Sequence, residues 1–191
     1  MTPILGTMAS QISGNLTVYA YQSIATISVT SSTSSVEFTS IPSSFKHLQI
    51  RALSNTNRSD GYATDSVKLN MNSDTGGNYS MHWVRGNGAT TAAYGYANQT
   101  EIYLEGISAG TAAPNIFGVA IIDILDYTNT NKYKTIKCLS GHELNGLINS
   151  SGGFVHLTSG NWHNTNTITS IKFTPDNNFQ QYSSFALYGV K

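Results

Sequence analysis

The sequence predicts an all-β fold, an antiparallel two-sheet sandwich of jelly-roll type with an extended N-terminal arm. Three observations carry this. Helix periodicity is almost absent. Apolar residues recur at every second position in short runs. Gly, Asn, Ser and Asp clusters separate those runs at regular spacing, giving about nine or ten strands.

In chain order, residues 1–16 alternate weakly and read as an arm. It carries Ile4, Leu5, Met8 and Ile12 in a segment too short to fold alone. Such side chains favour a neighbour's groove or sheet edge over water, which makes the arm the candidate attachment element and 17–191 the single domain. Ser23 to Thr30 is the first strand, with Ile27 and Val29 on one face. Val36 to Phe38 is a short second strand, and Pro42, which cannot donate to a ladder, marks a strand end. Leu48, Ile50 and Ala52 face inward in the third strand, with Gln49 and Arg51 outward. Ser54 to Asp65 lacks periodicity and reads as a surface loop.

Val67, Leu69 and Met71 alternate with Ser66, Lys68 and Asn70. The turn-forming run Asn72 to Asn78 predicts a hairpin to Tyr79, Met81 and Trp83. Gly86 to Asn98 shows no face and reads as irregular, and Ile102 and Leu104 mark a short strand. Ile116 to Tyr127 is the most apolar stretch. Phe117, Val119, Ile121 and Leu125 point one way and Ala120, Ile122 and Ile124 the other, which predicts a central strand buried on both sides. Tyr133 to Ser140, Phe154 to Thr158 and Ile168 to Thr174 follow as strands, with Trp162 in the turn Gly160 to Asn166. The final run alternates Phe185, Leu187 and Gly189 against Ala186, Tyr188 and Val190 and reads as an interior strand.

Composition narrows the function. Of 191 residues only 10% are charged, and the formal net charge is zero, against about 25% charged residues in ordinary domains. Solubility must come from Ser, Thr and Asn, and near-zero net charge favours association. With no basic run, nucleic acid is not an expected partner. No signal peptide is recognisable, and no run approaches a membrane span of about 20 apolar residues, so membrane insertion is not expected. Cys138, the one cysteine, excludes an intrachain disulfide and a thiolate zinc cluster and reads as a small buried hydrophobe.

Chemistry-bearing constellations are sparse. His47, His82, His142, His156 and His163 form no ligand-spaced pair with a carboxylate nearby, so no metal is expected. Asp123 and Asp126, three apart on a strand, point to opposite faces; Asp123 reads as a hydrogen-bond partner and Asp126 as a turn starter. Asn70 to Asn78 has one carboxylate where a calcium loop needs several. There is no nucleophile elbow and no phosphate loop. No catalytic, cofactor-binding or metal residue is therefore assigned, and the expectation is a protein that is not an enzyme.

The remaining lead is aromatic. Tyr94, Tyr96, Tyr103, Trp83 and Trp162 lie in or beside Gly- and Asn-rich stretches. Rings flanked by amides suit sugar binding, the ring stacking on a sugar face while amides bond its hydroxyls. Arg58, Tyr94, Tyr96 and Trp162 are the candidate glycan or partner contacts; core packing or subunit contact is the competing role.

The closing run Gln181 to Lys191 joins Ser23-Ile24-Ala25-Thr26, Phe38 to Arg51, Ile122 to Tyr127 and Pro3-Ile4-Leu5-Gly6-Thr7-Met8-Ala9-Ser10 in a further signal. Together these stretches resemble a family of tailed-bacteriophage virion proteins, described as tail-associated or structural. No catalytic motif accompanies the resemblance. It implies location in the virion, other virion proteins as partners, and a homo-oligomer, a trimer among the candidates by analogy. The role implied is a non-enzymatic tail-associated fibre or adhesin subunit meeting a host surface glycan. A capsid decoration (cement) protein is the alternative, followed by a glycan-degrading depolymerase and a free lectin.

Overall fold

The computed structural model describes residues 20–110, 115–144 and 153–191. The proposed arm, with Ile4, Leu5, Met8 and Ile12, lies outside the described residues. Among those described there is no helix. Twelve strands run β1 Tyr21–Ser28, β2 Val36–Phe38, β3 His47–Thr56, β4 Thr64–Met71, β5 Tyr79–Gly86, β6 Thr91–Gln99, β7 Ile102–Ala109, β8 Gly118–Leu125, β9 Lys134–His142, β10 Phe154–Trp162, β11 Ile171–Pro175 and β12 Ser184–Val190.

All twelve belong to one mixed sheet that does not close. Its path is β2-β11-β4-β7-β3-β8-β9-β10-β5-β6, with β12 also on β3 and β1 on β12. Every pairing is antiparallel except β3–β7, which meet in parallel over only Asn55↔Ser108 and Thr56↔Ala109. The sheet turns back over itself at this short joint. Ser140 Oγ of β9 donates to the Glu105 carbonyl of β7 at 2.6 Å. His142 Nδ1 lies 3.3 Å from the Gly106 carbonyl. A Cβ on Gly160 of β10 would stand 2.7 Å from Ile102 Cδ1, which shows how closely β10 approaches β7.

The enclosed core follows from strict alternation. In β4, Asp65, Val67, Leu69 and Met71 are buried while the residues between them are half-buried. In β12, Phe185 and Leu187 are buried, and Phe185 packs on Phe173 (5.4 Å) and edge-on to Phe179 (5.0 Å). β12 pairs on both edges, between β1 and β3, but it is not covered on both faces as expected: Phe185, Leu187 and Gly189 are buried, whereas Ala186, Tyr188 and Val190 are half-buried. Lys134 is buried at the start of β9, where its ammonium donates to the carbonyls of Asn129, Lys132 and Thr165, and burial lowers its pKa.

Several expectations need correction. β4 and β5 form no hairpin: β4 pairs with β11 and β7, and β5 with β10 and β6. Asn72 to Asn78 is instead a crossover, entered through positive φ at Asn72 and Ser73 and tied down by Asp74. Its carboxylate accepts from Gly76 N (2.9 Å), Asn78 Nδ2 (2.9 Å) and Trp162 Nε1 (2.7 Å). Burial pushes its pKa up, but the bonds from Trp162, Gly76 and Asn78 outweigh this and hold it below the usual value. The stretch expected to be irregular contains β6, an edge strand. The predicted loop Ser54 to Asp65 is shortened by β3, which extends to Thr56. β8 is buried on one side only: Ala120, Ile122 and Ile124 are core, whereas Val119, Ile121 and Leu125 are exposed.

Candidate functional site

The aromatic lead converges on a cleft of about 250 Å³ between β5–β6 and β4–β7, lined by Ser66, Trp83, Tyr96, Gln99, Tyr103 and Glu105. Strand register builds one wall. Trp83 pairs with Tyr94 and Met81 with Tyr96, so these side chains share a face of the β5–β6 ribbon. Met81 is buried in the core, whereas Trp83 is half-buried and Tyr94 and Tyr96 are 52% and 42% exposed. Trp83 is held from three sides: Tyr94 at 4.7 Å, His156 at 5.8 Å between ring centroids, and the Arg85 guanidinium 5.4 Å over the ring. The indole is thereby set in place before any ligand arrives.

The opposite wall is polar. Ser66 sits at the bulge where β4–β7 pairing slips between Asp65 and Val67, and its Oγ donates to Glu105 Oε1 at 2.9 Å. Burial raises the Glu105 carboxyl above its usual range, against the opposing pull of the Ser66 bond and the Arg85 charge. Burial likewise raises the Tyr103 hydroxyl, which donates to Glu101 Oε1 at 3.1 Å. Behind the cleft, His156 is buried, and its pKa is lowered to about 4 by burial first and then by the Arg85 and His142 charges. Its Nδ1 has no hydrogen-bond partner among the described residues.

Such a lining offers a flat ring face, amide and hydroxyl groups, and one carboxyl. It can stack on an apolar ring face and bond hydroxyls from the side. Among the described residues Glu105 is the one acid on the lining, with Glu101 behind Tyr103; a glycosidase would need a second carboxyl within about 5–9.5 Å.

The sequence-selected residues fare differently. Tyr96 lines the cleft, and Tyr94 braces Trp83 beside it. Trp162 is not a surface aromatic: it ends β10, is 1% exposed and stacks on Tyr79 at 6.4 Å. That placement corrects its assignment as a turn residue in contact with a ligand. Arg58 does not line the cleft and is committed to its own loop. It donates to both Asp60 oxygens (2.7 and 3.0 Å) and to the Thr64 carbonyl (2.9 Å), and lies 4.4 Å over the Tyr62 ring. The Asp60 bond raises the Arg58 pKa and lowers that of Asp60. Sequence reasoning did not single out Ser66, Gln99 or Arg85. They belong to three different strands, and only register brings them together. No group of His, Cys, Asp and Glu among the described residues could hold a metal ion.

Asp123 and Asp126 are separated by their hydrogen bonds. Asp123 Oδ1 accepts from Gln49 Nε2 (2.8 Å) across the β3–β8 pair, a strand partner rather than a loop. Asp126 adopts φ 49° at the turn, where its backbone N donates to His47 Nδ1 (3.0 Å) and its carboxylate accepts from Lys132 Nζ (2.7 Å).

No known protein family, curated protein or solved structure matches the chain.

Proposed function

We propose that this all-β protein is a non-enzymatic glycan-binding structural subunit, whose ligand lies on Trp83 and Tyr96 with its hydroxyls bonded to Gln99, Ser66 and Glu105. The observation that carries this reading is the pre-set indole facing a half-buried carboxyl across a cleft wide enough for about one sugar ring. A single acid on the lining favours binding over hydrolysis. The virion setting rests on the sequence resemblance alone, in which the protein is a tail-associated adhesin anchored through residues 1–16. In this reading the folded-over sheet acts as the two layers of a jelly-roll-type sandwich, β4–β7 covering β9–β10.

A glycan array probed with the full chain tests the binding. The expected result is retention on a defined set of host surface sugars, with Trp83→Ala losing at least about tenfold in affinity, the scale of one lost stacking contact. Retention of no sugar, or binding unaffected by Trp83→Ala, would reject the assignment. Release of new reducing ends from host polysaccharide would replace it with the depolymerase reading. A labelled antibody on intact particles tests the location: absence from the virion removes the adhesin role and leaves a free lectin.

A further inference from the structure

The outer face of β3, β8, β9, β10 and β5 carries an aliphatic surface that the core of the described residues does not use. Two adjacent register rows compose it. One runs Ile121↔Leu139, Leu139↔Leu157 and Leu157↔Val84. The other runs Leu53↔Val119, then Gly141, then Val155. These seven aliphatic side chains are 40–58% exposed. Gly141 has no side chain, so a depression of about 440 Å³ opens there between Val119 and Val155, floored in part by Leu139. On one side the apolar rows give way to a polar row, Gln49, Asp123, Lys137, Ser159 and His82, whose acid and base are direct cross-strand neighbours.

A face of this size lies at the upper limit for a protein that stays alone. Its exposed aliphatic area is on the order of 600 Å², the top of the range for the largest patch on a monomer. β8 makes the same point from sequence, since its apolar residues occupy both faces, the signature of a strand covered on both sides.

We infer that a second copy of this chain covers the face, two sheets packing aliphatic row against aliphatic row about a two-fold axis. Three arguments select this occupant. Two such faces bury together on the order of 1,200 Å², the lower bound of stable protein interfaces. A flat β face is matched in shape by another flat β face, stacked about 10 Å away with side chains interdigitating, and the depression over Gly141 receives a neighbour's side chain. Zero net charge and a polar border holding both signs remove the repulsion that usually keeps identical chains apart. Because the same face is used by both copies, the contact closes at two. It is independent of the glycan cleft, which opens between β5–β6 and β4–β7.

Sedimentation velocity of the full chain from roughly 1 to 100 μM tests this. The expected species has twice the 20.6 kDa mass of one chain. Leu139→Lys, which places a charge at the centre of the face, should raise the dissociation constant at least about 100-fold. The double variant Ile121→Thr/Leu139→Thr keeps strand propensity and should do the same while retaining the wild-type β spectrum, so a misfolded lysine variant does not decide the matter. A wild-type monomer at 100 μM overturns the inference. A trimer, or a dimer that survives both variants, overturns it as well.

Discussion

The two faces of β8, β9 and β10 are nearly equal in apolar content and opposite in circumstance. Inward, Ile122, Ile124, Ile136, Cys138 and Trp162 are buried to within 1% of complete. Outward, Val119, Ile121, Leu139, Val155 and Leu157 stand 40–58% exposed. Alternation within each strand says that both faces favour cover. It does not say whether the cover is the rest of the chain or another molecule. Only the path of the sheet, bent at the two-residue parallel joint between β3 and β7, assigns the inner face to the chain's own core.

Mutating the two faces in parallel gives that contrast a number. The largest effect belongs inside: Phe185→Ala opens a cavity against Phe173 and Phe179 and should cost about 3–5 kcal/mol in urea denaturation. Trp162→Phe keeps the stack on Tyr79 but removes the Nε1 donor to Asp74, and should cost about 1–3 kcal/mol. It should also raise the Asp74 pKa, which NMR titration of the carboxyl would show.

Acid provides a graded test of the same interior. His156 has a folded pKa of about 4 against 6.5 for the free side chain. Below pH 6.5 the unfolded chain therefore binds a proton that the folded chain excludes, so stability falls as pH drops from 6.5 towards 4 and this contribution then levels off. Thermal midpoints should follow that slope, and His156→Leu should flatten it; an unchanged slope would mean that other groups dominate. The smallest effect belongs outside. Ile121→Thr should change the stability of the isolated subunit by less than about 0.5 kcal/mol, in keeping with a surface site. A loss as large as that of Phe185→Ala would erase the distinction between the faces.

How much was legible varies with what each strand touches. β4 reads directly, because one face meets the core and the other does not, and the sequence repeats that contrast residue by residue; β12 carries apolar residues on both faces, so its one-sided burial was not legible. β6 was missed because almost all of it is exposed; a strand without a buried side has no period to detect. It also contains Gly95, facing the His82 ring across the ribbon, a residue that reads as a turn. Trp162 was misplaced because Gly160 and Asn161 before it resemble turn residues, although Gly160 lies within β10 against Ile102. The cleft was half legible. Its aromatics stood out by type, but Ser66, Gln99 and Glu105 reach it only through the pairing of β4 with β7 and β5 with β6.

Two-residue alternation alone determined that this chain is built of strands and which side chains share a strand face. These are properties of a few neighbouring residues and survive any choice of partner. The order of the strands, the crossover at Asn72 to Asn78, the aromatic cleft and the bare aliphatic face were decided by tertiary structure, because each depends on which distant strand supplies the other half of a hydrogen-bonded pair.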